Sequence, residues 1–267
     1  MDSKETVVFL KLGGSLITDK GGVEKVRLSV LDRLSKEIAA ALKDQPGLKM
    51  VIGHGSGSFG HVAADKHGTR QGVHDREGWI GLAEVSSAAA RLNQIVRQAL
   101  LKEGIPALTI QPSASAMCLD GPIITMETRT IRKAIKAGLI PLIYGDVAFD
   151  EVRGGTIIST EEIFTFLTPF FKPGRILLAG ETPGVFDREN RVIPLINSEN
   201  IDNYRGVLSG SGGTDVTGGM LTKVQSMLNL AEMEQGLSIV IFSGMVEGAL
   251  TRLIGGKQID EMTLIKA

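Results

Sequence analysis

Apolar residues fall along the chain in two rhythms. Short, mostly apolar runs at Val7 to Leu12, Lys49 to Ile52, Ile105 to Ile110, Leu139 to Tyr144, Arg175 to Ala179 and Ser238 to Phe242 have the length of buried strands. Between them the period changes to that of a helix. Leu31, Leu34, Ile38 and Leu42 recur at helical spacing within Leu28 to Leu42, which Pro46-Gly47 ends. Longer helical stretches cover about Glu77 to Lys102, Glu127 to Ala137, a segment opening at Glu161, and about Thr217 to Glu234. A hairpin is predicted from Asp146 to Gly155, turning around Val152-Arg153-Gly154-Gly155, and a last strand at Thr263 to Ile265. Strand and helix alternate, so the expectation is an α/β fold whose mainly parallel sheet carries helices on both faces. Pro173-Gly174 is the expected boundary between an N-terminal lobe, 1–172, and a C-terminal lobe, 173–267. No internal repeat or low-complexity tract interrupts the pattern.

Composition narrows the classes. The 267 residues are 43% hydrophobic and 22% charged, the balance of a folded soluble chain. Lys and Arg number 29 against 30 acidic residues, so no global field recruits nucleic acid or an anionic membrane, and an anionic ligand has to be met locally. A single cysteine, Cys118, can form neither an internal disulfide nor a thiolate cluster, which fits a reducing, cytoplasmic setting. Met1 to Thr6 is polar and carries no secretory signature, and no apolar stretch approaches the roughly 20 residues needed to span a bilayer.

Three loops carry candidate chemistry. In Lys11-Leu12-Gly13-Gly14-Ser15, with Lys20 beyond it, glycines at a strand end let N–H groups approach an anion while two lysines neutralise it; the bland alternative is a tight turn with solvated lysines. The segment Gly53-His54-Gly55-Ser56-Gly57-Ser58-Phe59-Gly60-His61 follows a strand and opens a helix, presenting donors suited to phosphate. Gly55, Gly57 and Gly60 also satisfy the dinucleotide fingerprint, but Asp75 and Glu77, at the distance of its acidic residue, precede a helix instead of ending a strand. The third loop, Gly210 to Met220 with Gly213, Thr214 and Gly218, leads into a helix bearing Lys223, an arrangement suited to a nucleotide phosphate tail or to a plain linker. There is no Walker-type phosphate loop. All four histidines, His54, His61, His67 and His74, share one window without metal-ligand spacing; His61 alone invites a phosphate role, and the others read as surface or structural residues.

In this order the three loops resemble the amino acid kinase superfamily across nearly the whole chain, and Lys20 with the Gly-Ser-Phe-Gly-His ending at His61 is similar to its isopentenyl phosphate kinases. The resemblance implies a three-layer αβα sandwich, an acceptor lobe, 1–172, a nucleotide lobe, 173–267, and a homodimer. It implies transfer of a phosphoryl group from ATP, with Mg²⁺ on the phosphates and no dedicated metal ligands, to isopentenyl phosphate. His61, Lys11, Lys20, Lys223 and Glu161 would form the catalytic set. Gly55, Ser56, Gly57, Gly60, His61 and Gly155 would hold the acceptor; Lys11, Gly13, Gly14, Ser15, Lys20, Gly180, Gly213, Thr214, Gly218 and Lys223 would hold ATP. Three departures from the pattern stand out. Ser56 replaces a glycine, Ser159-Thr160-Glu161 replaces Ser-Gly-Asp, and Gly180-Glu181-Thr182-Pro183-Gly184-Val185-Phe186 replaces Thr-Asp-x-Asp-Gly-Val-Tyr. Trp79 to Ala83, Ala88 to Ala90, Ile140 and Ile157 line an apolar tail pocket or simply pack as core. A fosfomycin-type kinase, a dinucleotide-binding oxidoreductase and a non-catalytic nucleotide sensor are the alternatives.

Overall fold

A computed structural model of the chain describes residues 7–19, 21–208 and 219–267, and within them all side chains except those at 61–63, 65–66, 207–208 and 219. The chain runs β1 (Val7–Leu12), α1 (Gly14–Ile17), α2 (Leu28–Asp44), β2 (Lys49–His54), α3 (Gly57–His67), α4 (Arg76–Lys102), β3 (Ala107–Thr109), β4 (Met117–Cys118), β5 (Ile123–Thr125), α5 (Arg129–Lys136) and β6 (Ile140–Tyr144). It continues through β7 (Asp146–Asp150), β8 (Gly154–Ile158), α6 (Thr160–Phe171), β9 (Arg175–Gly180), β10 (Leu195–Ile196), α7 (Arg205–Leu208), α8 (Gly219–Met233), β11 (Ser238–Ser243), α9 (Ala249–Ile254) and β12 (Met262–Ile265).

Eight strands form one sheet in the order β10-β12-β11-β9-β1-β2-β6-β3, parallel except where β12 runs against β11. Helices cover both faces, giving the expected three-layer αβα sandwich. The period-two geometry of β1 shows how. Val8, Leu10 and Leu12 join the core beneath α2, α4 and α9, whereas Val7 and Phe9 join the core beneath α5, α6 and α8. A strand buried on both sides must be apolar at nearly every position, which is why β1 reads as a continuous run. The sheet continues without a break past Pro173-Gly174, since β1 pairs with both β2 and β9.

A second, four-stranded sheet, β5-β4-β7-β8, stands apart. The predicted hairpin forms β7 and β8, but β4 and β5 have only two and three residues and leave no periodic signal. Asp150 organises this sheet's turn. Its carboxylate accepts from the N–H groups of Asp120 (3.1 Å), Gly121 (2.7 Å), Val152 (2.9 Å) and Arg153 (2.8 Å). Burial alone would raise its pKa, yet these donors hold it below the ordinary carboxylate value.

Two other expectations change in detail. The strand read at Ile105 to Ile110 contracts to Ala107–Thr109, because Pro106 has no N–H to give the ladder. The turn read at Gly13-Gly14 is the start of the single-turn helix α1, whose Thr18 N–H closes on the Gly14 carbonyl at 2.9 Å.

Replacing Asp150 with Ala strands four backbone donors and is expected to cost about 2–4 kcal/mol in urea unfolding. A loss under about 0.5 kcal/mol would show that the turn is held otherwise.

Candidate active site

The sheet's strand order reverses around β1. β2 lies on one side and β9 on the other, so the loops leaving their carboxyl ends meet at the topological switch point, where the ligand crevice of such a sheet usually lies. Those loops are Gly13-Gly14, Gly55 to Gly57, and the residues after Gly180. They are stitched together through backbone. Gly13 N–H donates to Ala179 O (2.8 Å), Gly55 N–H to Leu12 O (3.1 Å) and Gly244 N–H to Gly180 O (2.8 Å). A β-carbon on Gly13 would sit 2.8 Å from the Ala179 carbonyl oxygen, one on Gly55 would sit 2.9 Å from Gly14 N, and one on Gly57, at φ +50°, would strike the Gly14 carbonyl. These glycines are therefore required first for backbone-to-backbone contact between loops. Thr18, fully buried, adds a tie by donating to Gly14 O (2.7 Å) and accepting from Ser58 N–H (3.0 Å).

Lys11 reaches the crevice by strand periodicity. It lies on the same face of β1 as Val7 and Phe9, and Phe9 packs on Phe164 of α6 with ring centroids 4.9 Å apart. Glu161 is one turn earlier on α6, and its carboxylate forms an ion pair with the Lys11 ammonium. A capping box starts that helix at the required place: Ser159 Oγ accepts from Glu162 N–H (3.2 Å), while Glu162 accepts from Ser159 N–H (2.5 Å). Burial works to raise the Glu161 pKa, but Lys11, and Lys223 on α8, hold it below the ordinary value. Gly53 on β2 lets α6 sit this close, because a β-carbon there would run into Thr160 and Phe164.

Three distant elements thus bring Lys11, Lys223 and Glu161 together. Lys20, Gly213, Thr214 and Gly218 lie outside the described residues, as does the His61 side chain. Ser15 is half-buried in α1, and Gly180 closes β9. Ser56 precedes α3 with its side chain turned to Gly60, where no β-carbon would fit. The Gly155 backbone abuts a small separate apolar cluster; a β-carbon there would meet Leu82 at 2.8 Å and Trp79 and Val73 at 3.4 Å. This cluster comprises Val73, Leu82, Val85 and Val147, with Trp79 and Ile157 against it. Ile140 and Ala88, offered with them as tail-pocket residues, belong instead to the core under α2 and α4, and Ile80 is exposed. Ile140 lies in register with Ala107 of β3.

His54 is structural, as expected, but it belongs to a network that sequence reasoning missed. Thr109 Oγ1 donates to Asn93 Oδ1 (2.7 Å), Asn93 Nδ2 meets His54 Nε2 (3.1 Å), and His54 Nδ1 meets the Gly55 carbonyl oxygen (3.0 Å). The imidazole stacks on Tyr144, and Thr160 Oγ1 donates to the His54 carbonyl (2.6 Å). Burial, opposed by the Gly55 bond and reinforced by Lys11, lowers its pKa from 6.5 to about 4. The ring is therefore neutral at pH 7. His67 pairs with Glu84 at 2.9 Å. Asp75, which the dinucleotide reading needed at a strand end, accepts from Gly78 N–H (2.8 Å) and caps α4.

The family model described as "Amino acid kinase family" matches residues 6–243. The chain belongs to the amino acid kinase family. Among curated amino acid kinases, the isopentenyl phosphate kinase of Methanothermobacter thermautotrophicus is 33% identical over 95% of this chain and 97% of its own length. That of Methanocaldococcus jannaschii is 34% identical over 82% and 85%. Among solved structures, an isopentenyl phosphate kinase superposes with a TM-score of 0.81 at 29% identity, covering 97% of this chain and all of the other. With the family shown, the dinucleotide-binding oxidoreductase alternative is set aside.

Because the folded His54 pKa is about 4, the unfolded chain binds the extra proton between pH about 6.5 and 4, and stability falls as pH drops through that window. Relative to a His54→Asn variant, the wild type should lose about 2 kcal/mol of unfolding free energy between about pH 7.5 and pH 5. Parallel curves would mean that His54 does not titrate abnormally.

Proposed function

We propose that the chain transfers the terminal phosphoryl group of ATP to isopentenyl phosphate, giving isopentenyl diphosphate and ADP. The observation that carries this reading is the Lys11–Glu161–Lys223 group at the switch point; a compact apolar cluster borders Gly155. A phosphomonoester has a second pKa near ~6, so at neutral pH it is already a dianionic nucleophile needing no general base. The obstacle is repulsion between anions, and phosphoryl transfer is accelerated by positioning and positive charge. Lysines held by a carboxylate suit that task.

In this reading Lys11, Lys20 and Lys223 neutralise the donor phosphates and the group in flight, and Glu161 aims Lys11. His61, with the backbone of Gly55, Ser56, Gly57, Gly60 and Gly155, holds the acceptor phosphate. Gly14, Ser15, Gly180, Gly213, Thr214 and Gly218 line the nucleotide tail; Gly13 supports them structurally, its N–H being bonded to Ala179. The lobes 1–172 and 173–267 take acceptor and nucleotide respectively. The departure Glu161 supports the assignment, since its added methylene still reaches Lys11.

Among the described residues no three His, Cys, Asp or Glu side chains gather where they could hold a metal, and Glu161 is engaged by Lys11. Mg²⁺ would enter on the phosphates of ATP, adding charge neutralisation there. Trp79, Leu82 and Ile157, one step from Gly155, are of the right character for a branched five-carbon tail. No described helix is long and apolar enough to cross a membrane; a homodimer and a cytoplasmic setting are part of the same proposal.

An ADP-release assay comparing isopentenyl phosphate, dimethylallyl phosphate, fosfomycin and UMP tests the reading. Isopentenyl phosphate should give a kcat/KM within about 10⁴–10⁸ M⁻¹s⁻¹ and exceed the others. A lead for fosfomycin or UMP would overturn the acceptor, and no ADP from any of them would favour a sensor. In the same assay Glu161→Gln should lower kcat about 10- to 100-fold with folding retained; an unchanged kcat would remove Glu161 from the catalytic set.

A further inference from the structure

Gly55 lacks a side chain, so its own backbone angles place little constraint on the peptide plane that follows it. One orientation presents its carbonyl oxygen to the crevice, where an anion would be repelled, and the other presents the following N–H. The structure contains a device that chooses between them.

His54, at the end of β2, points with Met50 and Ile52 toward α4, where it is fully buried. Each hydrogen bond in its network has one permitted direction. The Thr109 hydroxyl donates to Asn93 Oδ1, which leaves the Asn93 amide nitrogen to donate to His54 Nε2. Nε2 is then the acceptor, so the imidazole proton is on Nδ1 and is donated to the Gly55 carbonyl oxygen at 3.0 Å. Every peptide bond described is trans. In a trans peptide C=O and N–H point in opposite directions, so a Gly55 carbonyl drawn inward to His54 turns the Ser56 N–H outward. Around this unit, Gly55 N–H is fixed to Leu12 O, and the His54 carbonyl is held by Thr160 of α6.

We propose that the buried Thr109–Asn93–His54 relay is a positioning device that locks the Gly55–Ser56 peptide with its N–H toward the phosphate of the acceptor. His54 touches neither substrate; it acts through the peptide plane. The inference rests on the phosphate-transfer reading above but concerns a feature that reading did not use.

Three replacements separate orientation from packing. In His54→Asn the amide nitrogen takes the place of Nδ1 and still donates to Gly55, although it leaves a void. In His54→Gln the donor falls at the Nε2 position, and His54→Phe fills the space with no donor. A purely structural role ranks activity with packing, Phe above Asn. Orientation ranks them the other way. We expect His54→Asn to keep kcat within about threefold of wild type despite a lower melting temperature, and the Phe and Gln variants to lose about tenfold or more in kcat at their own stable temperatures, as removal of an aimed donor does. Activity that follows melting temperature across the series overturns the proposal.

A second readout on the ¹⁵N-labelled wild-type chain stands whether or not the variants fold or isopentenyl phosphate is turned over. The His54 Nδ1–H should be observed as a protected resonance, and the Ser56 amide proton should move downfield on titration with inorganic phosphate. A proton on Nε2, or a Ser56 amide indifferent to phosphate, overturns the proposal even if turnover of isopentenyl phosphate is established. Absence of turnover together with a responsive Ser56 amide would remove the acceptor assignment and leave the relay standing.

Discussion

Strand β1 lies inside the sheet with helices over both faces, so five of its six residues are buried and only Lys11, next to its carboxyl end, keeps partial exposure. The one charge it does carry, on Lys11, must be neutralised from a neighbouring layer. Alternation puts Lys11 under α6, and the helix supplies Glu161 at the turn where the strand ends. From that pairing the rest of the site follows. α6 has to be capped by Ser159 and start at Thr160, β2 has to bear glycine at position 53 to admit it, and Lys223 of α8 comes within electrostatic range of the same carboxylate.

The parts of this arrangement that were legible in the sequence are those governed by period and by strong local chemistry. The apolar runs of β1, β2, β6, β9 and β11 and the helical spacing of α2 and α4 declare themselves because both the strand faces and one helix stripe are buried. The glycine loops were visible as anion-binding candidates, but their closest demand, contact with one another, depends on which strands are neighbours. That is tertiary information. Ser159-Thr160-Glu161-Glu162 carries a capping-box signature that would have fixed the start of α6 one residue early, at Thr160 instead of Glu161.

Other features had no local signal. β4 and β5 are too short to show a period and exist because Asp150 and β7 give them something to pair with. Ile140 and Ile157 look alike as β-branched residues in predicted strands, yet one enters the main core and the other the cluster beside Gly155, a difference set by the separate small sheet. Asn93 and Thr109 are unremarkable in sequence; they acquire meaning only when α4 and β3 close over His54.

The backbone contact between Gly13-Gly14 and Gly55-Gly57 also bears on how such a protein can diversify. Two loops that touch through main chain share one shape, so neither can be lengthened or given side chains without moving its counterpart. Variation compatible with these loops is therefore displaced to surfaces outside them. The hairpin of β7 and β8 is one such surface: it meets the helix α4 through Trp79, Leu82 and Ile157 and is stitched internally by Asp150. Under the proposed acceptor assignment, latitude to admit a bulkier tail lies there, in a small unit that can be repacked while the glycine loops keep their form.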